Sequence, residues 1–126
     1  MEKVELYADP KFDDGQMGEI RTGFDNRLTM EQVKFYASPE FDEDQMSEIR
    51  WGFQQGLTID QIKLYANTKF TWYQMFEIYQ GFKNGLTMEQ VKFYANPKFK
   101  WKQMEEIRED FEEGMSIEEV KERYGL

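Results

Sequence analysis

The sequence predicts an all-α protein, an α-solenoid built from helical hairpins. Two observations support this prediction. A seven-residue segment recurs at a period of 29 residues, at positions 28–34, 57–63, 86–92 and 115–121, and a fixed period of this length is typical of helical-repeat proteins. Each period also contains two helix start signals and two helix stop signals.

The repeats define one predicted domain over residues 1–126. Its repeats are 1–27, 28–56, 57–85 and 86–114, the first lacking its first two positions, and residues 115–126 form a half-repeat. One hairpin cannot bury both of its apolar faces, so neighbouring repeats are expected to stack. In the half-repeat, Glu122 and Arg123 replace the Phe-Tyr pair of earlier repeats. This polar face is expected of a solenoid cap.

The first helix of each repeat begins with a capping box. In the second repeat, Thr29 and Gln32 have the spacing of N-cap and N3, and Leu28 and Val33 have that of a hydrophobic staple. We predict a helix of about nine residues and about 13 Å. It should end near Pro39, because the residue before a proline avoids the α region.

The second helix repeats these signals. Asp42 and Gln45 stand at N-cap and N3, and the helix is expected to run for about 20 Å to Gln55, with Gly56 in the left-handed C′ position. Apolar residues recur along it at i, i+3 and i+7, which predicts its core face. These residues are Met17, Ile20, Phe24, Met46, Ile49, Phe53, Met75, Ile78, Phe82, Met104, Ile107 and Phe111.

Glycine recurs in the middle of three second helices, at positions 23, 52 and 81. A glycine in a helix interior costs about 1 kcal/mol relative to alanine. We therefore expect a close approach of the next repeat's backbone at these positions. The fourth repeat has Asp110 instead, where only a half-repeat follows.

The composition excludes several classes of function. The chain has no cysteine and no histidine, which removes disulfides, thiolate zinc sites and Ser-His or Cys-His catalysis. A net charge of −9 argues against direct nucleic-acid binding, which depends on lysine and arginine. The N-terminal residues lack a signal-peptide pattern, and no run approaches the roughly 18 apolar residues of a membrane span. We expect a soluble intracellular protein without cofactor or metal, and not an enzyme.

One motif carries a resemblance. The pattern Tyr-Ala-(Asp/Asn)-Pro-x-Phe, then Gln-Met-x-Glu-Ile-Arg-x-Gly-Phe, then Gly-Leu-Thr, best seen over 36–58 and 94–116, resembles short tandem repeats of uncharacterised bacterial and phage or mobile-element proteins. The third repeat departs most, with Thr68 in the proline column and Tyr79 in the arginine column. The resemblance implies a helical-repeat fold and no particular activity. It suggests a small inhibitor, such as a phage counter-defence factor, in the cytoplasm of a bacterial host.

The third repeat also breaks the pattern of the outward positions. Where other repeats are mainly polar, its second helix has Trp72, Tyr73, Phe76, Tyr79, Gln80 and Lys83. Positions 72, 76, 79 and 83 form one stripe opposite the predicted core face. Trp51 and Trp101, in the adjacent repeats, are placed to flank it. These eight residues are the candidate partner-binding surface, because exposed aromatic patches usually mark interaction sites.

Four interpretations of this surface remain open. The favoured one is a protein partner. The others are a homodimer contact, burial within the chain, and a groove that holds a small aromatic or nucleotide ligand.

Acidic residues form a candidate secondary surface at the second-helix starts of the first two repeats. They are Asp13, Asp14, Asp42, Glu43 and Asp44. Acids at a helix N-terminus favour the macrodipole, and the alternative is a surface for a basic partner, as in a nucleic-acid mimic. The fourth repeat has Lys98, Lys100 and Lys102 at the same place, opposite to the sign that the dipole favours.

Overall fold

The computed structural model describes residues 3–126, and this part of the chain is all-α, without a strand. Its helices are α1 Lys3–Tyr7, α2 Asp14–Asp25, α3 Met30–Lys34, α4 Glu43–Gln54, α5 Ile59–Lys63, α6 Trp72–Lys83, α7 Met88–Tyr94, α8 Trp101–Glu112 and α9 Ile117–Tyr124. None of these helices is long and apolar enough to cross a membrane. Met1 and Glu2, part of the first predicted repeat and of the segment tested for a signal peptide, lie outside the described residues.

The helices group into two compact units, Met1–Thr68 and Lys69–Leu126. In the first unit, α2 packs against α1, α3 and α4, and α4 packs against α5. In the second unit, α6 packs against α7 and α8, α7 packs against α8, and α8 packs against α9. The single domain over residues 1–126 stays a prediction.

The predicted capping boxes are confirmed. Thr29 Oγ1 accepts a hydrogen bond from the backbone N–H of Gln32 at 3.1 Å, and Gln32 Oε1 accepts one from the backbone N–H of Thr29 at 2.9 Å. Asp42 and Gln45 exchange the same two bonds at 2.7 and 2.9 Å. Gly56 follows α4 with a φ of +91°, as predicted. These contacts satisfy amides that helix starts leave without an intrahelical partner.

The first helices are shorter than the predicted nine residues. The helix α3 has five residues, as does α5, and α7 has seven. After α3, the N–H groups of Phe35 and Tyr36 bond to carbonyls three residues back, both at 3.1 Å. These i→i+3 bonds tighten the chain into a 3₁₀-type turn, so the α-helix ends before the segment that leads to Pro39.

The mid-helix glycines accommodate a tyrosine rather than the backbone of the next repeat, which corrects our expectation. A Cβ on Gly23 would stand 2.0 Å from Tyr36 Oη, and one on Gly81 would stand 2.1 Å from Tyr94 Oη. Each hydroxyl donates a hydrogen bond to the glycine's own helix, with Tyr36 reaching the Glu19 carbonyl at 2.8 Å. The glycines therefore make space for a buried polar contact between consecutive helices.

Glutamine at N3 has a second role that connects one hairpin to the next. Besides accepting from the N-cap amide, Gln16 Nε2 donates to the carbonyls of Pro39 and Phe41 at 3.1 and 2.7 Å. In the second unit, Gln74 Nε2 donates to the carbonyls of Pro97 and Phe99 at 3.2 and 2.8 Å. The same side chain thus starts one helix and fixes the loop before the next long helix.

The apolar columns form the core, with one exception. All of the predicted second-helix core residues are buried apart from Met17, which is half-buried. At the C-terminus α9 buries Val120. In place of the glycine–tyrosine contact, Asp110 accepts a hydrogen bond from the Tyr124 hydroxyl, and its Oδ2 lies 3.6 Å from Arg123 Nε. A polar cluster therefore takes the place of the glycine column at the last hairpin.

Candidate functional site

The candidate site is a groove in the second unit, which we call the aromatic groove. The first two turns of α6 and α8 border it, and its volume is about 580 Å³. Its lining residues are Trp72, Tyr73, Phe76, Glu77, Trp101 and Glu105. This volume lies within the range of small-molecule binding sites.

The aromatic rings stand at steep angles to their neighbours. The Trp72 and Tyr73 ring centroids are 5.1 Å apart with planes at 77°, and those of Tyr73 and Trp101 are 6.2 Å apart at 69°. Such edge-to-face pairs are favoured by the ring quadrupoles. Tyr73 therefore links the tryptophan of α6 to that of α8.

The groove exposes much of its aromatic surface. Trp72 is 43% exposed, Tyr73 40% and Trp101 38%, whereas Phe76 is half-buried. Large side chains of this kind are usually more buried in a folded domain. Three neighbouring aromatic residues at about two-fifths exposure therefore form an apolar surface open to solvent.

The predicted stripe along α6 is not continuous, which corrects the assignment of Tyr79. Tyr79 is 3% exposed and packs near Phe76, with ring centroids 6.1 Å apart. A helical wheel considers one helix only. It therefore does not show when a neighbouring element buries a residue that lies opposite the core face. Of the remaining stripe residues, Gln80 is half-buried and Lys83 is exposed. Neither lines the aromatic groove.

Glu77 and Glu105 also line the groove, and neither was among the predicted site residues. Burial raises the pKa of Glu77, and its contact with Arg108 opposes this, with Arg108 Nε 2.8 Å from Glu77 Oε1. Arg108 also binds both carboxylate oxygens of Glu112, at 2.8 and 2.9 Å. Glu105 is half-buried, and its Oε1 lies 3.6 Å from Lys102 Nζ. The spacing of Glu105 could have predicted its place in the groove, because it lies four residues after Trp101 on the same helix face.

A basic groove of about 470 Å³ adjoins the aromatic groove and shares Tyr73 and Trp101 with it. Its lining includes Lys69, Lys100 and Lys102. Lys102 Nζ lies 5.0 Å from the Trp101 ring centroid, which is cation–π range. Of Lys98, Lys100 and Lys102 in the fourth repeat, Lys100 and Lys102 thus border the site.

The remaining predicted site residues belong to the first unit. Trp51 lies on α4 and is 41% exposed. Asp13 and Asp42 are N-caps, whose carboxylates accept from the amides of Gln16 and Gln45 at 2.8 and 2.7 Å. The other three members of the acidic surface, Asp14, Glu43 and Asp44, are exposed in first helical turns. Their role in binding stays a prediction.

A recurrent glutamate on the second helices pairs with an arginine 31 residues later. Arg50 Nε lies 2.8 Å from Glu19 Oε1 in the first unit, and Arg108 makes the same contact with Glu77 in the second. The residue 31 positions after Glu48 is Tyr79. Glu48 Oε1 is buried and has no hydrogen-bond partner among the described residues.

Burial raises the pKa of Glu48 to about 7 from an ordinary value of 4.5, with Arg50 opposing the rise and Asp44 adding to it. A carboxyl with a raised pKa favours folding when it is protonated. Its contribution is complete below the unfolded pKa and is lost as pH rises through 7. Glu48 therefore makes the fold sensitive to pH between about 4.5 and 7.

Within residues 3–126, no group of three or more acidic side chains is placed to hold a metal ion. No protein-family model, no curated protein and no solved structure matches the chain.

Proposed function

We propose that this chain is an α-solenoid of four 29-residue repeats with a C-terminal capping half-repeat, and that it binds a partner protein without catalysing a reaction. Support for the solenoid comes from contacts that recur in both units. Gln16 and Gln74 each bond to the loop before the next long helix, and Tyr36 and Tyr94 each fill the space of a glycine. A repeat that contacts the following repeat through the same side chains can stack repeatedly.

The aromatic groove carries the binding proposal. Trp72, Tyr73 and Trp101 are about two-fifths exposed around one groove of about 580 Å³. Tryptophan and tyrosine are the residues most enriched among binding anchors, and they cluster in pockets that a partner can desolvate. The polar groups of the groove, Glu77 and Glu105, already have arginine and lysine partners, which fits a binding surface better than an acid–base pair.

The resemblance to bacterial and phage or mobile-element repeats supplies the setting that we propose. The partner is then a protein of the bacterial host, and the chain acts in the cytoplasm as an inhibitor. A net charge of −9 supports a protein partner over direct binding to nucleic acid.

The proposal is tested by differential co-purification from bacterial cells. The variants are Trp72→Ala with Trp101→Ala in the groove, and Trp51→Ala as the matched control, because Trp51 is equally exposed but outside the groove. We expect a protein that co-purifies with the wild type and the control and is lost from the groove variant. Circular dichroism should show the same helix content for all three.

Sedimentation velocity on the same variants separates a partner from self-association. A wild-type dimer that becomes monomeric in the groove variant would identify the groove as a homodimer contact instead. Co-purification that is unchanged in the groove variant would refute the groove as the binding surface.

A further inference from the structure

We propose that the basic groove receives an acidic side chain of the partner, an aspartate or glutamate, beside an apolar side chain that lies in the aromatic groove. This inference rests on the proposed function and names the kind of segment that the partner presents. It follows from the charge of the lining, from a comparison with the first unit and from the residues that the two grooves share.

The charged residues that line the basic groove are all cations. They are Lys69, Lys100 and Lys102, and no described residue of the lining is a carboxylate. Lys102 Nζ lies 3.6 Å from Glu105 Oε1, whereas Lys100 forms no ion pair within residues 3–126. All three lysines are exposed. A negatively charged group in the groove is therefore attracted by every charged side chain of its lining.

The charge remains positive when both grooves are considered together. The carboxylates are Glu77, Glu105 and Glu112, and the cations are Arg108 and the three lysines of the basic groove, which leaves one net positive charge. Arg108 and Lys102 are the ion-pair partners of these carboxylates. The whole chain carries −9, but the Debye length is about 8 Å at physiological ionic strength. The local charge therefore dominates once the partner is in contact.

The first unit shows that the scaffold does not require these lysines. The equivalents of the basic-groove residues lie two 29-residue periods earlier, and they are Lys11, Asp13, Gly15, Gln16, Pro39, Asp42, Glu43 and Asp44. Their formal charge is −3, against +3 in the second unit. The supporting contact is nevertheless the same, since Gln16 and Gln74 bond to the carbonyls of Pro39 and Pro97 at 3.1 and 3.2 Å. This supports binding rather than folding as the role of the lysines.

One short segment of the partner can occupy both grooves. The grooves share Tyr73 and Trp101, whose ring centroids are 6.2 Å apart. Successive residues of an extended peptide lie about 3.3 Å apart, so side chains one or two positions apart span this distance. Aspartate and glutamate are the anions that an unmodified protein offers, and an apolar neighbour would cover the exposed aromatic rings. Complementary charge of this kind provides specificity for the partner.

A second copy of this chain fits the two grooves less well. Each copy carries −9, so two copies repel each other. The acidic surface of the first unit does offer carboxylates. However, Asp14, Glu43 and Asp44 are accompanied in their first helical turns by no exposed apolar residue that could cover the aromatic rings.

The test titrates short peptides against the full chain and follows the three indole N–H resonances by NMR. The peptides are acetyl-Gly-Phe-X-Phe-Gly-amide, in which X is glutamate, glutamine or lysine, and the two phenylalanines allow binding in either direction. Trp72 and Trp101 report on the grooves, and Trp51 is the internal reference. The variant is Lys100→Gln. Its matched control is Lys98→Gln, because Lys98 is exposed two residues away and lines neither groove.

We expect the glutamate peptide to shift the Trp72 and Trp101 resonances saturably and to leave Trp51 unchanged. The glutamine peptide should bind about 1.5- to 5-fold more weakly for each lysine contacted, the range that an exposed ion pair provides, and the lysine peptide should bind most weakly. Lys100→Gln should weaken the glutamate peptide by the same factor and leave the glutamine peptide unchanged, whereas Lys98→Gln should affect neither. The preference for glutamate should disappear in about 1 M salt, where the Debye length is about 3 Å.

Equal binding of the glutamate and glutamine peptides would overturn the acidic occupant and leave an apolar docking groove, so the proposed function would stand. An equal effect of Lys100→Gln and Lys98→Gln, or no shift at Trp72 and Trp101, would also overturn the inference. Displacement of the glutamate peptide by an equal concentration of inorganic phosphate would assign the groove to a phosphate group instead. Sedimentation velocity that shows self-association of the wild type and its loss in Lys100→Gln would assign it to a second copy.

The co-purification experiment decides the proposed function independently. Its variants change Trp72 and Trp101 and leave the lysines in place, and its readout does not depend on the peptides.

Discussion

Two glycines in α2 should respond in opposite directions to the same substitution. A Cβ on Gly18 would meet no atom within 4 Å, whereas a Cβ on Gly23 would stand 2.0 Å from Tyr36 Oη. Gly18→Ala should stabilise the fold by about 1 kcal/mol, because alanine has the higher helix propensity. Gly23→Ala gains the same propensity but must displace the tyrosine.

The cost at Gly23 follows from the contact. The hydroxyl would have to retreat by about 1 Å, and overpacking of this kind costs roughly 1–3 kcal/mol. The hydrogen bond from Tyr36 to the Glu19 carbonyl, 2.8 Å long, would be lost, at about 1 kcal/mol. After the gain in helix propensity, Gly23→Ala should destabilise the fold by about 1–3 kcal/mol.

Urea unfolding followed by circular dichroism measures both variants, with Tyr36→Phe and the double variant completing a thermodynamic cycle. Without the hydroxyl, the nearest atoms to the new Cβ are Tyr36 Cζ and Val33 Cγ2, both at 3.3 Å. The double variant should therefore be more stable than the two single effects predict, by at least about 1 kcal/mol. If Gly23→Ala stabilises the fold as Gly18→Ala does, the tyrosine is not the reason for the glycine column.

Three further substitutions test other contacts. Arg27 has a φ of +70° at a position where later repeats have glycine. Arg27→Gly should therefore raise the free energy of unfolding by about 1 kcal/mol. An unchanged urea midpoint would contradict this. Glu48→Gln should have a higher free energy of unfolding than the wild type at pH 8, by about 1–2 kcal/mol after allowance for solvent screening. The difference should vanish near pH 4.5. Parallel plots of the free energy of unfolding against pH would show that Glu48 has an ordinary pKa. Gln74→Ala should reduce co-purification of the partner, because a binding site needs its side chains held in place by supporting contacts. Gln16→Ala removes the same contact in the first unit and should not reduce it. Equal recovery of the partner with both variants would separate the glutamine from the groove.

Local signals in the sequence were sufficient for the starts of α3 and α4. The bonds between Thr29 and Gln32, and between Asp42 and Gln45, connect residues three apart, so their spacing alone predicts them. The predicted end of the long helix, Gln55, is one residue from the end of α4 at Gln54. Signals of this kind need no knowledge of the neighbouring helices.

Contacts between hairpins could not be predicted in the same way. The expected backbone approach at the glycine column is instead a tyrosine hydroxyl, and Tyr79 is buried although a helical wheel places it opposite the core. Both depend on neighbouring parts of the chain, and the periodicity of one helix carries no information about those. The pairing of Glu19 with Arg50 was nevertheless readable, since the same two residue types recur 31 positions apart at Glu77 and Arg108.

The repeat scaffold also explains why the aromatic groove has a defined shape. Gln74 is the N3 residue of α6, directly after Trp72 and Tyr73, and its Oε1 accepts from the backbone N–H of Thr71 at 2.8 Å. Its Nε2 holds the carbonyl of Phe99 at 2.8 Å, two residues before Trp101. One buried side chain therefore ties the two segments that carry the exposed aromatics. The first unit has the same glutamine contact, with Asp14, Gly15 and Glu43 where the second unit has Trp72, Tyr73 and Trp101. The aromatic groove therefore differs from the first unit at outward positions and not in the contact that supports it.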